Sequence, residues 1–162
     1  MTPAPCLERA TTDDAPALAA LEAACHSHPW TESQLRDEVS YGPPGAVLVL
    51  RGPPRTRETW GAVRAYCVYR MVIDEMHILN VAVAPGWRRQ GLARWLLGFA
   101  MRKAAREGAR RAFLEVRAGN REALSLYRGL GFARVGVRPV YYTEPGEDAV
   151  LLAREGLASG QP

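Results

Sequence analysis

Apolar positions recur at two different periods along the 162-residue chain, and the switches between them outline the elements. Cys6 to Ala10 fits a short first strand. Thr11-Thr12-Asp13-Asp14 supplies helix-capping types and Pro16 suits a first turn. Leu18, Leu21, Ala24 and Cys25 then fall at helical spacing, which predicts a first helix running to about Cys25. His26-Ser27-His28-Pro29-Trp30 interrupts it. A second helix begins where Thr31 and Gln34 have the spacing of a capping box and Trp30 and Leu35 that of a hydrophobic staple. Tyr41 to Gly45 reads as a turn region and Ala46 to Leu50 as a strand. Arg51 to Thr59 reads as a polar loop. Trp60 to Val72 reads as a long strand, paired with the preceding one in a hairpin. Glu75 to Val83 is a further strand, apolar at its end as buried strands are.

The clearest helical pattern follows. Leu92, Trp95 or Leu96, Phe99, Ala100 and Lys103 keep the 3.6-residue period, Lys103 and Arg106 suit the negative end of a helix dipole, and Gly108 is a stop signal. Arg111 to Arg117 is again a strand. Asn120 caps a helix with Ala123, Leu124 and Tyr127 on one side, ending near Gly129 to Gly131. Phe132 to Val137 and Ala149 to Ala153 are two closing strands, with Tyr141 to Gly146 in their connection, and the chain after Glu155 is expected to be a disordered tail. The order is β-α-α-β-β-β-α-β-α-β-β. The strand–helix–strand unit from Glu75 to Val116 should form a right-handed parallel crossover, with antiparallel hairpins before and after it. The expected class is α/β, with a mixed sheet and helices on both faces.

Composition narrows this picture only a little. With 48% hydrophobic and 23% charged residues, the chain has the balance of a globular protein, and its length suits one domain, residues 1–155. The formal charge, 21 − 17 = +4, fits a solvated arginine-rich surface as well as an anion-binding groove. Cys6, Cys25 and Cys67 are odd in number and contain no CxxC, so neither a disulfide framework nor a zinc site is indicated. His26 and His28 lie near Cys25, but no second ligand pair completes a metal site. No apolar run is long enough to span a membrane, and the N-terminus lacks a basic region leading into an apolar one. The expectation is a cytoplasmic protein with no membrane and no direct nucleic-acid partner.

The candidate chemistry centres on the segment from Leu79 to Arg94. An apolar strand enters a turn at Pro85-Gly86, two arginines and Gln90-Gly91 follow, and a helix starts at Leu92. Amides in the first turn of a helix lack intrahelical partners and carry the positive end of its dipole, and Gly91 has no Cβ to hold a ligand away. Such a loop can cradle a pyrophosphate.

The run Arg88-Arg89-Gln90-Gly91-Leu92-Ala93 fits a pattern of Gln or Arg, two residues, Gly, one residue, then Gly or Ala. It resembles the acetyl-CoA pyrophosphate loop of the GCN5-related N-acetyltransferase (GNAT) family, with Ala93 in place of the commoner glycine. The surrounding order of elements and the segment Asn120 to Phe132, with Leu126-Tyr127 and Gly129-Leu130-Gly131-Phe132, extend the resemblance over most of the chain. A narrower similarity, to the RimI group of that family, lies in Pro29-Trp30-Thr31, in Leu114-Glu115-Val116-Arg117-Ala118 with Asn120, and in Tyr141-Tyr142 followed by Glu147-Asp148-Ala149.

The resemblance implies a GNAT fold, a mixed and mostly antiparallel sheet of about six or seven strands. It implies acetyl-CoA as cosubstrate, held by Arg88, Arg89, Gln90, Gly91, Leu92, Ala93 and Arg94, by the strand Val81-Ala82-Val83 and by Asn120. It also implies an acceptor in the form of a protein N-terminus, the alanine of a small-subunit ribosomal protein, acted on by a monomer. Glu115 would be the base and Tyr127 the acid, with Trp30, Tyr141 and Tyr142 clasping the acceptor. Each has a plainer alternative: an exposed glutamate paired with an arginine, a half-buried aromatic, a staple, and two tyrosines covering the core. Transfer to a small amine or a lysine side chain, or a non-catalytic acetyl-CoA-binding module, are the competing functions.

Overall fold

The computed structural model describes residues 6–52 and 62–157. Strand β1 (Cys6–Arg9) leads through a short 3-10 turn at Thr12–Asp14 into α1 (Ala15–Cys25) and α2 (Glu32–Tyr41). Strands β2 (Gly45–Arg51), β3 (Val63–Val72) and β4 (Glu75–Val83) follow, then α3 (Leu92–Arg106), β5 (Arg111–Arg117), α4 (Arg121–Gly129), β6 (Ala133–Thr143) and β7 (Gly146–Arg154). The order matches the one expected from the sequence. Trp60 and most of the expected polar loop fall outside the described residues, and Arg51 belongs to β2.

The capping signals act as their residue types dictate. Thr31 Oγ1 accepts from the Gln34 amide at 3.2 Å and Gln34 Oε1 accepts from the Thr31 amide at 2.8 Å, so α2 opens on a complete capping box. Asn120 Oδ1 accepts from the Ala123 amide at the start of α4. On α3 the inward residue is Leu96, which is fully buried, while Trp95 is 44% exposed.

The seven strands form one sheet in the order β1-β2-β3-β4-β5-β7-β6. Every pair is antiparallel except β4 with β5. One face packs under α3 and α4, through Leu48, Cys67, Met76, Ile78, Leu96, Leu114, Val116 and Leu152. The other packs α1 and α2 against Val47, Val49, Tyr66, Val68 and Ala82. Strand alternation puts successive residues on opposite faces, so the two cores draw on alternate positions of the same central strands.

The parallel pair decides where a site can form. β4 and β5 are paired only at Glu75–Arg111, Met76–Ala112 and His77–Phe113. Beyond that point β4 stays with β3 as far as Val83, and β5 stays with β7 as far as Arg117. The two strands therefore part into a V, open at their C-terminal ends. A bulge helps to turn β4 away: Val68 faces Asn80 and Tyr69 faces Ile78, which leaves Leu79 without a partner.

Two expectations are corrected at the C-terminal end. Tyr141, Tyr142 and Thr143 lie within β6, and Glu144-Pro145 alone joins it to β7. β6 continues past Val137 because it is an irregular edge strand whose register shifts twice against β7, a feature that strict alternation does not reveal. The chain after Glu155 is not all tail, since Leu157 is buried in the α3 core and its amide donates to the Arg110 carbonyl at 2.9 Å.

Cys67 and Tyr69, both on β3, are buried. Burial pushes the Cys67 thiol up to about 12 and holds the Tyr69 phenol well above its usual range. The unfolded thiol ionises near about 8.5, so above that pH the unfolded chain binds fewer protons than the folded one. Stability should fall with rising pH, by up to about 1.4 kcal/mol per pH unit from this group. Urea unfolding between pH 8 and 10 should show this slope in the wild type and a clearly shallower one in Cys67→Ala, where the exposed Cys6 thiol, raised by its hydrogen bond to Glu8, still contributes. An equal slope in both proteins would contradict the assignment.

Candidate active site

Below the open end of the V, Ala84 leads into a 3-10 turn at Pro85–Trp87, and the chain then bends through two left-handed residues before α3. Arg89 has φ of 59° and Gly91 has φ of 76°. Among the described residues, no backbone amide from Arg89 to Arg94 is paired with a backbone acceptor, which leaves a run of donors facing out at the positive end of α3. Arg88 Nε donates to the Val83 carbonyl at 3.2 Å, binding the loop to the end of β4. Arg94 Nη1 donates to the Gly129 carbonyl at 3.2 Å, binding α3 to the end of α4. Among the described residues, Arg89 reaches only a distant, exposed Glu122 at 3.9 Å.

A cleft of about 340 Å³ connects this loop to the V. Val81, Ala82, Val83, Arg88, Arg89, Gly91, Leu92, Ala93, Arg94, Asn120 and Tyr127 all line it, so most of the residues expected to bind the cofactor meet there. Gln90 does not. Cys25, His26, Trp87, Glu122, Ala123 and Leu126 complete the wall. No sequence signal marks them for this role, apart from the helical spacing that puts Ala123 and Leu126 beside Tyr127.

Tyr127 sits in this cleft on α4, packed on the α3 core and edge-on to Phe132 with ring centroids 5.7 Å apart. Burial holds its phenol well above the ordinary tyrosine range, so its proton is retained throughout neutral pH.

Glu115 lies elsewhere. Its neighbours Leu114 and Val116 face the α3 core, so alternation sends Glu115 through to the opposite face. There its carboxylate pairs with Arg138 Nε at 3.0 Å, with both side chains partly exposed. Beside it Arg117 lies 3.9 Å from the centre of the Tyr142 ring and Arg138 lies 5.6 Å from that of Tyr141. Burial raises the Tyr142 phenol, and the Arg117 charge partly opposes this. Tyr141 and Tyr142 line a second cleft, of about 220 Å³, with Arg117, Glu144 and His28 of the α1–α2 loop. Trp30 lines neither cleft. It packs with the α1–α2 core near Leu35, as its staple position dictates.

The arrangement fits acetyl-CoA. It offers unpaired amides and three arginines to a pyrophosphate, a β4 edge freed by the V to a long amide-bearing arm, and a buried phenol on one face of the sheet with a carboxylate on the other.

Comparison with known proteins agrees. The sequence profile of the acetyltransferase (GNAT) family matches residues 15–132, and the chain belongs to that family and is an N-acetyltransferase. It is 33% identical over 144 residues to the [ribosomal protein bS18]-alanine N-acetyltransferase of Escherichia coli strain K12, covering 88% of this chain and 91% of that one. The corresponding Haemophilus ducreyi enzyme is 28% identical over 150 residues, covering 91% and 97%. Among solved structures, the ribosomal-protein-S18-alanine N-acetyltransferase from Escherichia coli superposes with a TM-score of 0.82 at 31% identity, over 94% of each chain.

A Cβ added at Gly91 meets no atom within 4 Å, so only its left-handed backbone resists a side chain. Gly91→Ala should cost about 1 kcal/mol in denaturant unfolding. No loss would mean that the loop relaxes to another backbone conformation.

Proposed function

We propose that this enzyme acetylates the α-amino group of a protein N-terminus, with the N-terminal alanine of a small-subunit ribosomal protein as acceptor. The observation that carries this is the placement of Tyr127 and Glu115 on opposite faces of the sheet beside one V. A donor entering from the α3 side reaches an acceptor held between His28, Tyr141 and Tyr142 on the other. The similarity to bacterial enzymes named for the alanine of bS18 supports the choice of acceptor. On the same grounds we place the protein in the cytoplasm.

Acetyl-CoA supplies the acetyl thioester. Arg88, Arg89, Arg94 and the amides from Arg89 to Arg94 hold its pyrophosphate, Asn120 adds a contact, and Val81 to Val83 guide its arm. A β4 amide near Val81 donates to the carbonyl oxygen as charge builds there, which is commonly the largest catalytic contribution. An α-amine has a pKa near about 8, so a modest base frees it at neutral pH. Glu115 takes that proton, directly or through water, and Arg138 holds the carboxylate in place. Tyr127 donates to the departing sulfur. Burial keeps the phenol protonated, so its O–H is available to the sulfur as negative charge grows there.

The test is release of free thiol from acetyl-CoA with a peptide beginning in alanine. Glu115→Gln and Tyr127→Phe should each lower kcat by about 10²–10⁴ with acetyl-CoA affinity kept. Wild-type turnover in both variants would remove these roles. Turnover by the wild type with small amines or lysine side chains alone would overturn the acceptor assignment, and no thiol release with any amine would leave a binding module.

A further inference from the structure

Glu22 falls on the apolar side of α1, four residues after Leu18, and is 1% exposed. Its carboxylate collects donors from several elements. The Tyr66 hydroxyl of β3 donates to it. Asn80 Nδ2 of β4 lies 3.0 and 3.1 Å from its two oxygens, and the Trp30 amide donates at 3.2 Å. His26 Nε2 stands 3.6 Å away; it is buried and makes no hydrogen bond among the described residues. A buried carboxyl is costly unless it is saturated with partners, and an apolar side chain would serve packing alone at least as well.

The partners show what the group joins. Asn80 lies between the bulged Leu79 and Val81, where β4 begins to line the cofactor cleft. Trp30 and His26 bracket the loop that carries His28 into the acceptor cleft. His26 itself lines the cofactor cleft. One side chain thus ties the wall of the acceptor cleft to the β4 segment that faces the donor.

Resting on the function proposed above, we propose that Glu22 is a positioning residue for acetyl transfer, holding the α1–α2 loop and the Val81 segment in fixed relation. Two independently mobile walls would misplace the amine relative to the thioester, and displacements of about 1 Å can cost about a hundredfold in rate. In Glu22→Gln an NH₂ group would face donors that need an acceptor, so the tie should break while side-chain volume is kept.

The experiment compares wild type, Glu22→Gln and His26→Gln in the full chain, measuring kcat and KM for the amine that the wild type acetylates, acetyl-CoA Kd by titration, and Tm. Glu22→Gln should lower kcat/KM for the amine by about ten- to a hundredfold with acetyl-CoA Kd within about twofold of wild type. His26→Gln should show a smaller loss in the same parameter at unchanged Tm, and it carries the test alone if Glu22→Gln does not fold. Unchanged amine kinetics would overturn the proposal. So would equal losses in amine turnover and acetyl-CoA binding, which describe a scaffold residue. A wild type that acetylates amines other than protein N-termini would overturn the acceptor assignment and leave the Glu22 comparison intact.

Discussion

The structure depends on the limited pairing of β4 with β5. Three residue pairs at the base of the parallel ladder hold the sheet together, and above them each strand keeps only its outer neighbour. Backbone donors and acceptors inside a sheet ordinarily find partners there. In the V, the inner edges of β4 and β5 lack each other, so the middle of the sheet offers an edge suited to an extended, amide-bearing ligand. Strands on either side and helices on both faces keep this opening from collapsing.

The V also divides the chemistry. The α3 face brings together the loop from Arg88 to Arg94, the Asn120 cap and Tyr127, whose burial keeps its proton in place. The opposite face carries Glu115, Arg138, Arg117 and the two tyrosines, a charged and more open surface. The sheet thus keeps a buried phenol and a partly exposed carboxylate apart, on surfaces of different character.

Much of this was legible in the chain. Helix boundaries followed from local signals, namely the Thr31–Gln34 box, the Asn120 cap and the Gly108 stop, because capping is satisfied within a few residues. The candidate cofactor loop was legible for the same reason, as its amides, arginines and Gly91 are contiguous. Periodicity left Trp95 and Leu96 as alternatives, and the packing of α3 on the sheet chose Leu96.

By itself the sequence determined the order of elements, the α/β class and the family, and it singled out the candidate anion loop, all of which rest on short-range or contiguous patterns. Only the tertiary structure decided that β4 and β5 part above His77, that Glu115 meets Arg138 on the face opposite Tyr127, that β6 runs on through Tyr142, and that Glu22 gathers Tyr66, Asn80 and Trp30 around one buried carboxylate. These depend on partners tens of residues apart. A glutamate in a helix has the same local pattern whether it faces water or the centre of the molecule, and only the packing of α1 on β3 and β4 distinguishes the two. The loop at Gly91 owes its shape to local geometry, whereas the opening beside it exists because β4 stays with β3 and β5 stays with β7 beyond their three shared pairs.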